Sequence, residues 1–209
     1  MKNATKHAEN LKSLSRRLAK DHKPAPRQSI DALQALVRGA MSFDVSEAKV
    51  DEVMTHIEKE FVDLNELRVA TDLEIQELLG ARYPQIEKRV AMITQALNMI
   101  FEREHTMNLN RLKEISRRDA RQFLRDLPEM HPFVEAYVTL FAFDGHAVPI
   151  DDLMLATLRD EGVVDEVASL ADAQKFVEHH LKAEECYEFY ATLRTAATAE
   201  ESGKGKKKK

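Results

Sequence analysis

Four arginines in the segment 111–125 are the side chains of this sequence best suited to contact phosphate. They are Arg117, Arg118, Arg121 and Arg125, and the segment holds six basic residues against two acidic ones. Arg118, Arg121 and Arg125 recur at spacings of three and four, which predicts that they share one face of a helix. Such a face can bind phosphate. A solvated charged face, partly neutralised by neighbouring acids, is the commoner outcome of this pattern.

The remaining candidates for chemistry are weaker. His179 and His180 are adjacent, and neighbouring residues of a helix point about 100° apart, which makes a poor metal chelate. The single cysteine, Cys186, lies among acids that disfavour a thiolate, so we expect it in the core. One cysteine cannot form an internal disulfide or an iron–sulfur cluster, and no glycine-rich phosphate loop or zinc-protease motif is present. We therefore predict no metal, no iron–sulfur cluster and no other cofactor.

Composition favours a helical globular protein. The chain has 209 residues, of which 44% are hydrophobic and 32% are charged, with only six glycines and six prolines. Apolar residues recur at helical spacing nearly throughout, and no segment alternates convincingly like a strand. The pattern predicts an all-α fold of roughly ten helices. No run of apolar residues is long enough to span a membrane, and no secretory signal is recognisable, so we expect a cytoplasmic protein.

Charge is distributed unevenly along the chain. Residues 1–28 hold eight Lys and Arg against two acids, and the tail 203–209 adds five lysines, yet the formal net charge is −5. Residues 150–201 hold 13 acids against four Lys and Arg. A whole-domain nucleic-acid binder is usually basic across its docking face, so this acidic body is not the usual profile of one, although the basic ends could contact polyanions.

Capping residues and helix breakers predict several helix boundaries. Ser29 and Ser46 are expected to begin two helices, Thr71 to begin and Gly80 to end a third, and Pro84 to lie in the first turn of a fourth. Asp151 follows a proline and an isoleucine at the start of a predicted helix, where an aspartate is expected to cap the helix.

One set of segments follows the order of the motifs in a known protein family. It consists of a helix, a tight turn at Leu127-Pro128 and a very apolar helix (DARQFLRDLPEMHPFVEAYVTLFAF, 119–143), followed by HAVPIDDLMLATL at 146–158. The segments LQALVRGAMSFDVSEAKVDEV (33–53) and RYPQIEKRVAMITQAL (82–97) extend the match. In these residues the sequence resembles the helix-hairpin-helix DNA glycosylase superfamily, the endonuclease III-like base-excision repair proteins. The resemblance covers about residues 10–195.

The resemblance implies a two-lobed, all-α, endonuclease III-like fold. A basic N-terminal helix and linker would occupy 1–28, and a central helical barrel 29–145, with the hairpin at 127–134. Acidic C-terminal helices at 146–197 would pack with the N-terminal helix, and a disordered lysine-rich tail would follow at 198–209. Target DNA would lie across the groove between the lobes, with a damaged base flipped into it.

The resemblance also assigns residues to chemical roles. Asp151 falls on the family's catalytic aspartate, and Asp44 falls on its catalytic glutamine, within the same expected pocket. The nucleophilic lysine position falls on Phe133, which cannot form a Schiff base, so lysine-type lyase chemistry is excluded. The hairpin glycines fall on Glu129 and His131; we retain His131 as a candidate DNA contact. Any remaining activity would be monofunctional base excision through Asp151.

Three hypotheses follow from the sequence. The first is a divergent DNA-repair-type protein, nucleoid-associated if it binds DNA, whose catalytic activity is open. The second is a non-enzymatic protein-interaction scaffold on the same fold, which docks a basic partner. The third is a plain helical bundle with no groove. The first requires Asp151 to open onto a recess wide enough for an extruded nucleotide.

Overall fold

The structure is a computed structural model that describes residues 4–207, with side chains described for 4–199. Within residues 4–207 it contains eleven α-helices and two short 3-10 helices (Asn110–Lys113 and Ala183–Glu185), and no strand. The α-helices are α1 (Ala4–Asp21), α2 (Ala32–Ser42), α3 (Glu47–Glu60), α4 (Leu64–Val69), α5 (Asp72–Leu79), α6 (Ile86–Glu104), α7 (Arg117–Arg125), α8 (Pro132–Ala142), α9 (Asp152–Asp160), α10 (Leu170–His180) and α11 (Cys186–Lys207). The predicted all-α class is confirmed.

The predicted helix boundaries hold where the capping signal is complete. Thr71 and Glu74 form a reciprocal capping box at the start of α5, and Gly80 ends that helix with a φ of 80°. Ser29 does not begin α2: the cap is Asp31, which accepts a hydrogen bond from the Leu33 amide at 2.9 Å. Ser46 occupies the N-cap of α3 without a side-chain bond to the backbone.

The helices pack in two groups. In the first, α2 packs against α3, α6 and α8, while α6 also packs against α4 and α5, and α7 packs against α8. In the second, α11 packs against α1 and α9, and α9 packs against α10. The core of the first group is α8, whose Phe133, Val134 and Val138 have no exposed surface. Cys186 is also completely buried, as predicted.

The first and last helices, α1 and α11, differ in how they are held. Near the N-terminus, His7 and Asn10 each lie 2.8 Å from the carbonyl oxygen of Gly162, which fixes α1 on the second group. At the other end, α11 continues to Lys207, where composition predicted a disordered tail from residue 198. Residues 208–209 of that tail lie outside the described residues. No helix among the described residues is long and apolar enough to cross a membrane.

Candidate nucleic-acid interface

A sharp corner joins α7 to α8. The chain turns between Leu127 and His131, where the Met130 amide lies 3.4 Å from the Leu127 carbonyl oxygen. Glu129 is exposed and has a left-handed backbone with a φ of 54°. A residue with a Cβ loses about 1–2 kcal/mol in that conformation, so the surrounding structure must impose it. The predicted hairpin corner is therefore present at a position where glycine would be unstrained.

His131 caps α8 rather than standing free as a cation. Its Nδ1 atom accepts a hydrogen bond from the Phe133 amide at 3.2 Å. Its ring is stacked on Phe43, with ring centroids 4.3 Å apart. Burial is the main cause that lowers the pKa of His131 below its usual value. A neutral, stacked imidazole does not supply the positive charge that phosphate binding favours.

Phe133 fills the core beside this corner. Its ring has no exposed surface, and its centroid lies 5.9 Å from that of Tyr137 and 6.2 Å from that of Tyr190. The position therefore presents an aromatic ring to other aromatic rings. It offers no amine to an incoming ligand.

The C-terminal end of α2 is held by a buried guanidinium from α6. Arg89 has no exposed surface, and it donates hydrogen bonds to the carbonyl oxygens of Ala40 at 2.5 Å, Phe43 at 2.6 Å and Pro84 at 2.7 Å. Its guanidinium also lies 3.6 Å from the centroid of the Phe43 ring. Burial lowers the pKa of Arg89 to about 10, so it stays charged at neutral pH. Arg89 thus satisfies carbonyl groups that the end of a helix leaves without partners.

Two further side chains donate hydrogen bonds to the backbone that follows α2. The Tyr83 hydroxyl donates to the Met41 carbonyl at 2.7 Å. Arg194 of α11, only 5% exposed, donates to the carbonyl oxygens of Ser42 at 3.2 Å and Val45 at 3.0 Å. Contacts from three separate elements therefore position the segment from Met41 to Val45, which includes Asp44.

The carboxylates of Asp44 and Asp151 both accept hydrogen bonds from backbone amides at the start of α9. One oxygen of Asp151 accepts from the Met154 amide and the other from the Asp44 amide, both at 2.9 Å. In return, Asp44 Oδ1 accepts from the amides of Asp152 at 3.0 Å and Leu153 at 3.3 Å. The predicted capping role of Asp151 is confirmed. The two predicted residues do meet, as a pair of carboxylates that caps one helix.

The recess expected at Asp151 is absent. The residue is 2% exposed, and both of its carboxylate oxygens are already hydrogen-bonded to backbone amides. The expectation that this carboxylate opens onto a space for an extruded nucleotide is therefore wrong. The reason is the left-handed Asp44, with a φ of 54°, which brings its own amide and carboxylate over the start of α9.

The carboxylate pair gives folding a specific pH dependence. Burial first, and the nearby Asp151 charge second, raise the pKa of Asp44 from 3.8 to about 6. A carboxyl with a raised folded-state pKa binds protons more strongly in the folded chain, so its contribution to stability falls as pH rises from about 4 to about 6. We expect Asp44→Asn to remove this slope and to raise the free energy of unfolding at pH 7 by about 1 kcal/mol, discounted for partial exposure. Urea unfolding at several pH values measures both effects.

The matched control is Asp160→Asn, which neutralises an exposed carboxyl at the other end of α9. It should leave the slope of the wild-type protein between about pH 4 and 6 unchanged. Loss of stability in Asp44→Asn at pH 7 would show that the negative charge of Asp44 is favourable, and the interpretation of the pair would be wrong.

The predicted arginine face is only partly formed. Arg117 and Arg118 are exposed, and the Arg125 side chain is 51% exposed, with its guanidinium 3.8 Å from Glu135. Arg121 turns inward, which corrects the prediction that it shares the exposed face. Its Nε atom donates to Glu135 at 2.6 Å, and Nη1 lies 3.2 Å from Glu178. Arg117, Arg118 and Arg125 remain available to phosphate.

A separate cleft of about 800 Å³ runs between α2, α3 and α8 on one side and α11 on the other. Tyr137, Phe141, Tyr187 and Tyr190 line it with aromatic rings. Such rings can stack on a planar group. Three acids, Glu47, Asp51 and Glu58, also line the cleft, together with two arginines. Arg38 pairs with Glu47 and Asp51, and Arg194 lies 3.1 Å from Glu47. Neither Asp44 nor Asp151 is among its lining residues.

Comparison with known proteins gives a clear answer for the fold. No protein-family model matches the sequence, and no curated protein matches it. Among solved structures, an endonuclease III trapped as a covalent intermediate with DNA has a TM-score of 0.69 at 13% identity, over 93% of this chain and 85% of that one. The fold is that of the helix-hairpin-helix DNA glycosylases. The hypothesis of a plain helical bundle unrelated to this fold is therefore wrong.

Two more glycosylases of this fold show how widely it is shared. The Clostridium acetobutylicum 8-oxoguanine glycosylase/lyase, in complex with duplex DNA, has a TM-score of 0.70 at 16% identity, over 92% of this chain and 70% of that one. The H. pylori 3-methyladenine DNA glycosylase, bound to 1,N6-ethenoadenine, has a TM-score of 0.66 at 12% identity, over 95% of this chain and 98% of that one.

Sequence reasoning missed the residues that build this version of the glycosylase fold. Arg89 and Arg194 position the Asp44 segment. Glu135 and Glu178 accept hydrogen bonds from Arg121. Arg89 belongs to no recognisable sequence motif, and it follows two other charged residues of the same helix. The one available signal was its place on α6, where it precedes Val90 at the start of the buried stripe.

Proposed function

We propose that this protein binds DNA at the α7–α8 corner without excising a base through Asp151. The observation that carries the proposal is the intact hairpin corner next to a closed carboxylate pair. The corner keeps a left-handed Glu129, a conformation that an ordinary residue would avoid, while Asp151 is 2% exposed. The DNA-bound structures of the same fold support DNA as the ligand.

The absence of excision is argued from three side chains. Phe133 has no nucleophilic group, and its ring is fully buried. Asp151 is 2% exposed and accepts from two backbone amides, so a sugar could reach its carboxylate only if the residues that cover it moved. The stacked rings of Phe43 and His131 occupy the space next to the pair. Chemistry at this position would need a rearrangement of the whole Asp44 segment.

DNA affinity is expected to come from charge alone. Exposed guanidiniums at 117, 118 and 125 can contact phosphate oxygens directly. Contacts of this kind fix a protein on the duplex and carry no base information. Binding should therefore be weakened by salt and should differ little between duplex sequences.

The proposal is tested by titrating the protein with abasic, mismatched and undamaged duplexes at two salt concentrations, and by assaying base release on the same duplexes. We expect salt-sensitive binding to all three and no released base. Absence of binding at low salt would refute the DNA-binding part. Base release that is lost in Asp151→Asn would refute the non-catalytic part.

Glu129 offers a gain-of-function prediction. Replacing it with glycine removes both the left-handed strain and a negative charge at the corner that we propose binds DNA. We expect Glu129→Gly to tighten DNA binding about fivefold at low salt and to raise the free energy of unfolding by about 1 kcal/mol. Anisotropy titration and urea unfolding measure the two effects.

Glu129→Gln separates the two causes, because it removes the charge and keeps the strain. It should reproduce the gain in affinity without the gain in stability. Weaker DNA binding by either variant would contradict the placement of this corner against phosphate.

A further inference from the structure

An acidic groove lies on the α3–α5 segment, on residues other than those of α7 and α8. It has a volume of about 510 Å³, within the range of about 300–1,000 Å³ typical of ligand clefts. Apolar residues of the groove are Phe61, Val69, Ala70 and Leu78. Its charged residues are four glutamates and no base: Glu60, Glu66, Glu74 and Glu77.

The same segment exposes an unusual amount of apolar surface. Five large hydrophobic side chains are exposed among residues 4–199, and three of them lie here: Val62 at 92%, Val69 at 63% and Leu73 at 64%. Val69 lines the groove, Val62 follows the lining residue Phe61, and Leu73 stands one helical turn before Glu77. Large apolar side chains exposed beside a groove with a polar rim are typical of a protein interaction site.

The negative charge of the segment is not neutralised within it. Residues 58–78 hold seven acids against two bases, Lys59 and Arg68. Arg68 turns away to α6, where it donates to Asn98 at 2.9 Å and lies 4.3 Å from the Phe101 ring centroid. The groove therefore faces solvent with an excess of carboxylates around an apolar floor.

We propose that this groove docks a basic amphipathic helical segment of a partner protein. Apolar side chains of such a segment would contact Phe61, Val69 and Leu78, and its Lys and Arg would face the four glutamates. DNA is disfavoured because its phosphates would meet these carboxylates. A second copy of the groove is disfavoured for the same reason, and the chain's own GKGKKKK tail has no apolar side chain to bury.

The test uses defined peptides and the full-length protein. The probe is a synthetic 18-residue peptide with leucines on one helical face and lysines on the other. Two comparison peptides replace its lysines with glutamates or its leucines with serines. We expect saturable binding of the probe alone, measured by calorimetry. Equal binding of the serine peptide would overturn the proposal, because charge would then suffice, as would failure of the probe to bind.

Variants locate the site. Glu60→Lys with Glu77→Lys removes two glutamates to which the structure assigns no cap, and should weaken the probe more than about tenfold. Val69→Ser with Leu73→Ser, at exposed positions, should also weaken it. The control Glu166→Lys with Glu184→Lys makes the same charge change at exposed positions between α9 and α11. Equal weakening by the control would overturn the assignment to the groove.

Two further measurements distinguish a partner protein from a second copy of the chain and from DNA as the ligand of the groove. Light scattering of the free protein should show a monomer in the wild type and in the groove variants. If the wild type self-associates and the groove variants do not, the groove binds a second copy of the chain and the proposal is wrong. DNA titration of the Glu60/Glu77 variant should match the wild type. An unchanged DNA affinity keeps this proposal independent of the proposed function, whereas a tenfold gain would show that DNA reaches the groove and would overturn the partner assignment.

Discussion

Replacing Arg89 with methionine is expected to lower the free energy of unfolding by about 3–5 kcal/mol, since buried carbonyl groups are left without partners. Arg89 has no exposed surface, and its guanidinium serves the carbonyl oxygens of Ala40, Phe43 and Pro84. Methionine keeps much of the aliphatic volume and removes all of these donors. Urea unfolding followed by far-UV circular dichroism measures the loss.

Two comparison variants show whether the loss in Arg89→Met comes from the missing hydrogen bonds. Arg89→Lys retains the charge, but one ammonium cannot replace a planar fork on three carbonyls, so we expect most of the loss to remain. Lys88→Met changes the exposed neighbour and should alter stability by less than about 0.5 kcal/mol. If the free energy of unfolding of Arg89→Met lies within about 1 kcal/mol of the wild-type value, the end of α2 does not depend on this guanidinium.

The second large effect is expected at Arg121. Arg121→Met should cost about 3–5 kcal/mol, because removal of one partner leaves a buried charge uncompensated. The charges left behind are Glu178 and Glu135, and Glu135 is 3% exposed with its remaining basic partner, Arg125, 3.8 Å away.

The double variant Arg121→Met with Glu135→Leu tests this cause. It removes both charges and should recover part of the loss, as a double-mutant cycle measures. Arg118→Met removes an exposed arginine of the same helix and should change stability by less than about 0.5 kcal/mol. Equal losses in the Arg118 and Arg121 variants would show that the inward contacts of Arg121 are energetically unimportant.

Local signals in the sequence predicted much of the fold. Thr71 and Gly80 bound α5 because each satisfies backbone groups a few residues away, and a cap of this kind depends on the nearby sequence alone. Asp151 was predicted as the cap of α9 for the same reason. The order of the motifs predicted the glycosylase fold, which the similarity of the solved structures confirms.

Contacts between distant elements could not be predicted. Helical spacing placed Arg121 with Arg118 and Arg125, but the two glutamates that turn it inward come 14 and 57 residues later. The closure of Asp151 depends on Asp44, which is 107 residues earlier and has a left-handed backbone. A pattern of residue types shows neither which side chain a distant acid reaches nor which non-glycine residue adopts a positive φ.

The carboxylate pair explains how a glycosylase fold can be kept without the expected recess. Four backbone amides at the start of α9 and in the α2–α3 segment are satisfied by Asp44 and Asp151. This arrangement stabilises the junction of the two helix groups. It does so at the position where the resemblance implied catalysis.

DNA binding at the α7–α8 corner is proposed to depend on exposed arginines. The most direct measurement is an anisotropy titration of an undamaged duplex at low salt with the wild type, with Arg118→Glu plus Arg125→Glu, and with Lys59→Glu as a single charge-reversal control in the acidic groove segment. We expect about a hundredfold weaker binding by the double variant, a reduced salt dependence, and wild-type affinity for the control. Wild-type affinity in the double variant would contradict it.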